Sequence, residues 1–175
     1  MHRNTLLSEI EAYSVKRPLE SEVSTSFYNF VSENPDCFKR ELLMGHVTAS
    51  AFIVDLEAEK VLLLHHKKLD RWLQPGGHCD GETDTLDVAK KEVSEETGIV
   101  FSGFNREIFD LDIHTIPERK GIPEHLHYDV RYLFEVDSQI PFEANEESND
   151  LKWIDFSDLK NYTSEVSILR MLEKI

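Results

Sequence analysis

An α/β or α+β fold, with a mixed central sheet packed between helices, is predicted from the order of patterns along this 175-residue chain. Strand-like runs stand on both sides of one amphipathic helical segment at 85–97, and a second helical pattern closes the chain. A third observation adds an appendage: helical spacing also fills the first forty residues.

Taken in order, residues 4–13 and 23–38 place Leu6, Ile10 and Tyr13, then Phe27, Phe30 and Val31, at spacings of three and four. Two helices are expected, separated around Pro18. From Gly45 the pattern becomes β-rich: HVTASAFIVDL (46–56) and VLLLHH (61–66) flank a charged turn from Glu57 to Lys60, which predicts a hairpin. RWLQPGGH (71–78) follows, then a helix from Thr85 to Thr97 that Gly98 should stop as a C-cap. Residues 106–116 and 125–136 alternate as strands do, and DFSDLKNY and VSILRMLEKI have helical periodicity. This reads as an N-terminal helical extension at 1–42 and one domain at 43–175.

Composition narrows the function. The chain is 40% hydrophobic, with no apolar run near the roughly 20 residues needed to span a bilayer. The opening MHRNTLLSEIEAY lacks a secretory signal, so a cytoplasmic location is expected. Cys37 and Cys79 are too few for a disulfide framework and are expected to be reduced. With 19 basic and 34 acidic residues the net charge is −15, which repels bulk nucleic acid. A phosphorylated small molecule is still compatible, provided divalent metal neutralises both sides.

The helical segment T-L-D-V-A-K-K-E-V-S-E-E-T-G sets Glu92, Glu95 and Glu96 at i, i+3 and i+4, so the three carboxylates leave one side of the helix. Leu86, Ala89 and Val93 form the adjacent stripe that would pack on the sheet. Taken alone, three glutamates are as compatible with a solvated acidic face. If held against the protein, they would call for a hard, oxygen-preferring cation, Mg²⁺ or Mn²⁺. The preceding Gln74-Pro75-Gly76-Gly77 is expected to make a tight turn where a carbonyl can point at a metal.

At this point a family resemblance becomes specific. GHCDGETDTLDVAKKEVSEETGI, from Gly77 to Ile99, resembles the Nudix box G-x5-E-x7-R-E-U-x-E-E-x-G-U, where U is aliphatic. Gly77, Glu92, Val93, Glu95, Glu96, Gly98 and Ile99 match, whereas Thr83 stands at the first glutamate and Lys91 at the arginine. Glu82 and Asp84 flank Thr83 and offer alternative carboxylates. Lysine keeps the charge of arginine but not its bidentate fork. LQPGGHCDGETDTL, with the upstream GHVTAS, is similar to a Nudix subgroup to which no substrate is attached here.

The resemblance implies a Nudix-type α/β/α sandwich and a Mg²⁺- or Mn²⁺-dependent hydrolase that cleaves a diphosphate linkage in a nucleoside diphosphate derivative, by attack of activated water on phosphorus. It implies that Glu92, Glu95 and Glu96 ligate metal with the Gly76 carbonyl, and that Glu95 and Lys91 belong to the catalytic machinery. It further implies an acidic residue in a loop ahead of the last helix and just before a tryptophan; in the stretch from Asn145 to Trp153, Glu147 is the first choice.

Strand alternation sorts the histidines. His46, Thr48 and Ser50 share one face, and His125, His127, Asp129 and Arg131 share another, opposite the apolar Leu126, Tyr128, Val130, Tyr132 and Phe134. An exposed sheet surface accounts for such a face. The reading favoured here is a polar substrate pocket that uses His46, His78 and His127, with Arg71 and Arg131 meeting phosphate oxygens. His65 and His66 point to opposite faces and cannot share one metal. Trp72, Trp153, Tyr128 and Tyr132 are expected in the core rather than stacked on a base.

Two other functions fit the same box. An isopentenyl diphosphate isomerase needs a catalytic cysteine opposite a glutamate, and neither Cys37 nor Cys79 stands in that motif. A non-catalytic nucleotide-binding regulator needs an output domain, and residues 1–42 are too short for one of usual size. Their expected use is to cover a sheet edge, extend the pocket or form a homodimer contact.

Overall fold

The computed structural model describes residues 2–100, 105–146 and 148–175. Its elements, in chain order, are α1 (Asn4–Lys16), α2 (Ser21–Glu33), β1 (Gly45–Asp55), β2 (Lys60–His66), β3 (Arg71–Leu73), β4 (Gly76–His78), α3 (Thr85–Thr97), β5 (Asp110–Ile116), β6 (His125–Glu135), β7 (Ser148–Asp155), α4 (Leu159–Tyr162) and α5 (Val166–Leu172). No helix among the described residues is long and apolar enough to cross a membrane.

The strands form one sheet in the order β3-β2-β1-β6-β5, with β4 also paired to β1 and β7 to β2. β1 and β2 make the expected antiparallel hairpin, with Val54 opposite Val61. β6 runs parallel to β1: the Leu126 N–H donates to the Met44 carbonyl and, further along both strands, the Val136 N–H donates to Val54. The β1–β2, β2–β3, β2–β7 and β5–β6 pairings are antiparallel, so the sheet is mixed, as predicted.

Two compact units divide the chain, one of residues 1–49, 77–88 and 106–132, the other of 50–76, 89–105 and 133–175. In the first, α1 buries Leu6, Ile10 and Tyr13, and α2 buries Phe27, Phe30 and Val31, the stripes expected from their spacing. Phe30 stacks flat on Tyr128 of β6 with ring centroids 3.7 Å apart, and Phe27 meets the same ring edge-on at 5.4 Å. The extension at 1–42 is therefore integral to this unit's core. Arg3 donates to the Val31 and Ser32 carbonyls, a cation placed on the C-terminal end of α2. That helix stops at Glu33 instead of continuing to 38, because Pro35 disfavours helical backbone at Asn34, which is extended at ψ 99°.

In the second unit β2 is paired along its whole length by β7, while β1 and β3 occupy its other edge. Both edges and both faces covered explain why Val61–Leu64 can be a continuous apolar run. β7 was not anticipated: its segment was expected to be a loop. Its charged and amide side chains, Asn149, Asp150 and Lys152, mask a strand whose buried members are only Leu151 and Ile154. The short closing helices fall within the predicted segments and bury Leu159, Ile168 and Met171.

Removing the flat stack should be costly. Phe30→Ala is expected to lower the unfolding free energy by roughly 3–5 kcal/mol, measured by urea denaturation with unchanged slope.

Candidate active site

The helix α3 begins and ends where its capping residues dictate. Asp84 accepts the Asp87 N–H at 3.1 Å, the Glu82 carboxylate accepts the N–H groups of Thr83 and Asp84, and Gly98 closes the helix at φ +69°. Asp84 also pairs with Arg106. The two carboxylates flanking Thr83 are thus engaged in turn, cap and ion-pair contacts.

Along the helix, Leu86, Val88, Ala89 and Val93 are buried, and the three glutamates present a gradient: Glu95 exposed, Glu92 half-buried, Glu96 only 8% exposed. The buried carboxylate is anchored, since the Gly76 N–H donates to Glu96 Oε2 at 2.9 Å. A charge-assisted bond of this kind ties the glycine segment to the acidic helix. Gly76 is not in a tight turn, as expected, but begins a strand after a bend at Pro75, whose carbonyl accepts the Ala51 N–H. The glycines with positive φ among the described residues are Gly45, Gly81, Gly98 and Gly121. Lys91, at the family's arginine position, lies 3.7 Å from Glu95 across one exposed helical turn. On the same unit, Asn145 donates to the Glu95 carbonyl and the Glu143 N–H to that of Thr97, which pins the start of the acidic 143–150 segment on the end of α3. Glu147 lies outside the described residues.

Arg71 is exposed on β3 and donates to Glu165 at 2.9 Å. Arg131, in contrast, is 2% exposed and fully engaged: Nε donates to Asp129, Nη1 to Asp110 and Nη2 to Asp112. Burial opposes its charge, but the three aspartates outweigh it and keep the guanidinium protonated. Thr48 donates to the remaining Asp129 oxygen. The β5–β6 register explains the network, with Asp110 opposite Arg131 and Asp112 opposite Asp129. Asp110 and Asp112 were missed as functional partners, although the alternation of D-L-D-I-H assigns them with His114 to one face.

The polar face of β1 and β6 is a buried surface, not the exposed one that alternation alone allows: His46, Thr48, Ser50, Asp129 and Arg131 are all buried. His46, His78, His125 and His127 cluster there with ring centroids about 5 Å apart, for example 4.7 Å between His46 and His127. Among the described residues, the three potential ligands whose donor atoms lie within 4.8 Å of one another are His46, His125 and His127. Both cysteines are buried free thiols. Burial pushes Cys37 up to about 11, and Cys79, with Asp129 adding to burial, is pushed higher still, so neither is a thiolate nucleophile at neutral pH.

A mixed sheet with an acidic, glycine-anchored helix defines the class to which the comparisons also point. A sequence model described as NUDIX domain matches residues 44–174, most of the chain, and the protein belongs to that family. A probable DHNTP pyrophosphohydrolase from Lactococcus lactis subsp. cremoris (strain MG1363) is 33% identical over 95 residues, covering 53% of this chain and 55% of the relative. The chain thus spans little more than half of that relative's length. The fold is shared with a MutT NUDIX hydrolase from Burkholderia pseudomallei, at TM-score 0.60 and 22% identity over 75% of this chain and 98% of that one. It is also shared with the dihydroneopterin triphosphate pyrophosphohydrolase of E. coli, at TM-score 0.57 and 17% identity over 74% and 93%.

Leaving the buried aspartates without their cation should be severe. Arg131→Met is expected to destabilise the protein by roughly 3–5 kcal/mol in chemical denaturation, the range for breaking a buried ion pair from one side.

Proposed function

We propose that the protein is a metal-dependent pyrophosphohydrolase that cleaves a diphosphate linkage in a nucleoside diphosphate derivative or a related phosphorylated heterocycle, within the cytoplasm. The observation that carries this reading is the Gly76 N–H bond to the nearly buried Glu96, which ties the glycine preceding the box to its acidic helix. The oxygen-only donors Glu92, Glu95, Glu96 and the Gly76 carbonyl suit Mg²⁺ or Mn²⁺. Bound there, the metal would neutralise charge gathering on the phosphate oxygens and lower the pKa of an attacking water.

The chain's own groups have separate tasks. Glu96 is oriented by the Gly76 amide, and Lys91 holds positive charge beside the exposed Glu95. Arg71 is the exposed guanidinium assigned to substrate phosphate, after release from Glu165. Arg131 is not assigned that task, because it is buried and each of its three nitrogens already bonds an aspartate. Glu147, chosen by its place in the sequence ahead of Trp153, accepts the proton of the attacking water. The isomerase alternative is weakened by two buried, protonated thiols. The two relatives named for dihydroneopterin triphosphate make that compound the first candidate, alongside nucleoside di- and triphosphates, sugar nucleotides, dinucleotides and capped RNA.

The test is incubation of the purified protein with that panel and Mg²⁺ or Mn²⁺, following release of phosphate, pyrophosphate or a monophosphate. Activity is expected with at least one compound and should vanish with chelator; no release from any of them overturns the reading. Glu96→Gln, whose amide oxygen can still accept the Gly76 N–H, is expected to cut kcat by about a hundredfold or more, several kcal/mol of lost charge stabilisation, without changing the unfolding midpoint.

A further inference from the structure

The histidine row on the first unit includes His46, His78 and His127, expected from the sequence to line a substrate pocket, and its geometry has a chemistry of its own. Adjacent strands contribute to it: His46 stands on β1, His125 and His127 on β6, and His114 on β5 directly opposite His127, with His78 on β4 beside His46. Alternation places His125 and His127 on one face, and the parallel β1–β6 pairing brings His46 alongside them.

Both ring nitrogens of His46 and Nε2 of His127 are buried; His127 Nε2 has no hydrogen-bond partner among the described residues, and His46 has only the Leu42 backbone as a partner near its ring. His46 is only 3% exposed. A neutral imidazole carries one donor and one acceptor, and leaving them orphaned in the interior costs free energy. These atoms call for an external partner. Their neighbours are already oriented for one. His125 Nδ1 is 2.8 Å from the Pro123 carbonyl, so it donates there and leaves Nε2 as a lone pair. His114 Nδ1 is likewise held by the Asp112 carboxylate at 3.0 Å.

We propose that His46, His125 and His127 form a nitrogen-donor site for a borderline divalent transition metal of the Zn²⁺ type, separate from the carboxylate site and with its fourth position left to water.

Three imidazole nitrogens suit such an ion and are poor ligands for Mg²⁺. The donor atoms lie within 4.8 Å of one another. A tetrahedral ion with Zn–N bonds of about 2.0–2.1 Å needs them roughly 3.3 Å apart, so binding would draw the three rings together. The bound ion would link β1 to β6, two neighbouring strands otherwise joined at this end through backbone hydrogen bonds.

The experiment uses the chelator-stripped, dialysed full chain, titrated calorimetrically with Zn²⁺ alone and, in parallel, with Co²⁺ while visible absorption is recorded. One equivalent of Zn²⁺ and the intense spectrum of four-coordinate Co²⁺ are expected. Glu96→Gln should retain both, whereas His125→Ala, at a half-buried position, and His127→Ala should weaken binding by roughly a hundredfold or more, beyond what loss of a supporting contact alone costs. Absence of stoichiometric Zn²⁺ binding, a weak six-coordinate Co²⁺ spectrum, binding unchanged in His125→Ala, or binding lost in Glu96→Gln would each overturn the site. Failure of Glu96→Gln to hydrolyse substrate bears only on the carboxylate site and leaves this outcome readable.

Discussion

A polar sheet face that is buried must satisfy its own atoms, and much of the first unit follows from that constraint. Thr48, Asp129 and Arg131 are buried there and cannot rely on bulk water. The guanidinium fork meets the demand with one donor for each of three carboxylates, a geometry that lysine could not supply. Such a network contributes specificity through its register: a slip of β5 by one residue against β6 would turn Asp110 and Asp112 to the face opposite Arg131. On the same face, Nε2 of His127 is buried with no such partner among the described residues.

The acidic helix works under the opposite condition. In a chain of net charge −15, three glutamates on one helical turn repel one another, yet Glu96 is drawn in against the protein. Its backbone donor comes from the glycine strand, and Lys91 offsets Glu95 on the solvent side. The two departures from the box therefore have distinct local consequences. Lysine retains a single-point contact with Glu95, and the absence of the first glutamate leaves Glu82 and Asp84 to organise the helix start by capping it.

Much of this was legible in the sequence. α3 and its Gly98 stop, the β1–β2 hairpin and the apolar stripes of α1 and α2 follow from periodicity and capping, because there local preference and tertiary packing agree. The box identified the family because its residues are fixed in spacing by one strand, one bend and one helix. Three features were hidden. β7 is an amphipathic strand diluted by charge, and its pairing with β2 is a long-range fact. Gly76 and Gly77 looked like a turn because glycine permits one, while the Pro75 carbonyl bonded to Ala51 keeps the chain extended. Arg131 looked like a phosphate ligand because the sequence displays a guanidinium but not the three aspartates waiting for it.

The strand β7 also bears on how the protein is made. Its partner β2 lies on the far side of nearly half the chain, with Lys60 set against Asp155, and each compact unit is assembled from three separate stretches. Neither unit is complete until its last stretch has been synthesised. Closing such loops costs chain entropy before any contact rewards it, which favours slow, all-or-none acquisition of structure. Until β7 arrives, the apolar Val61–Leu64 run presents a bare strand edge, and a nascent chain in that state is a template for pairing with its own copies.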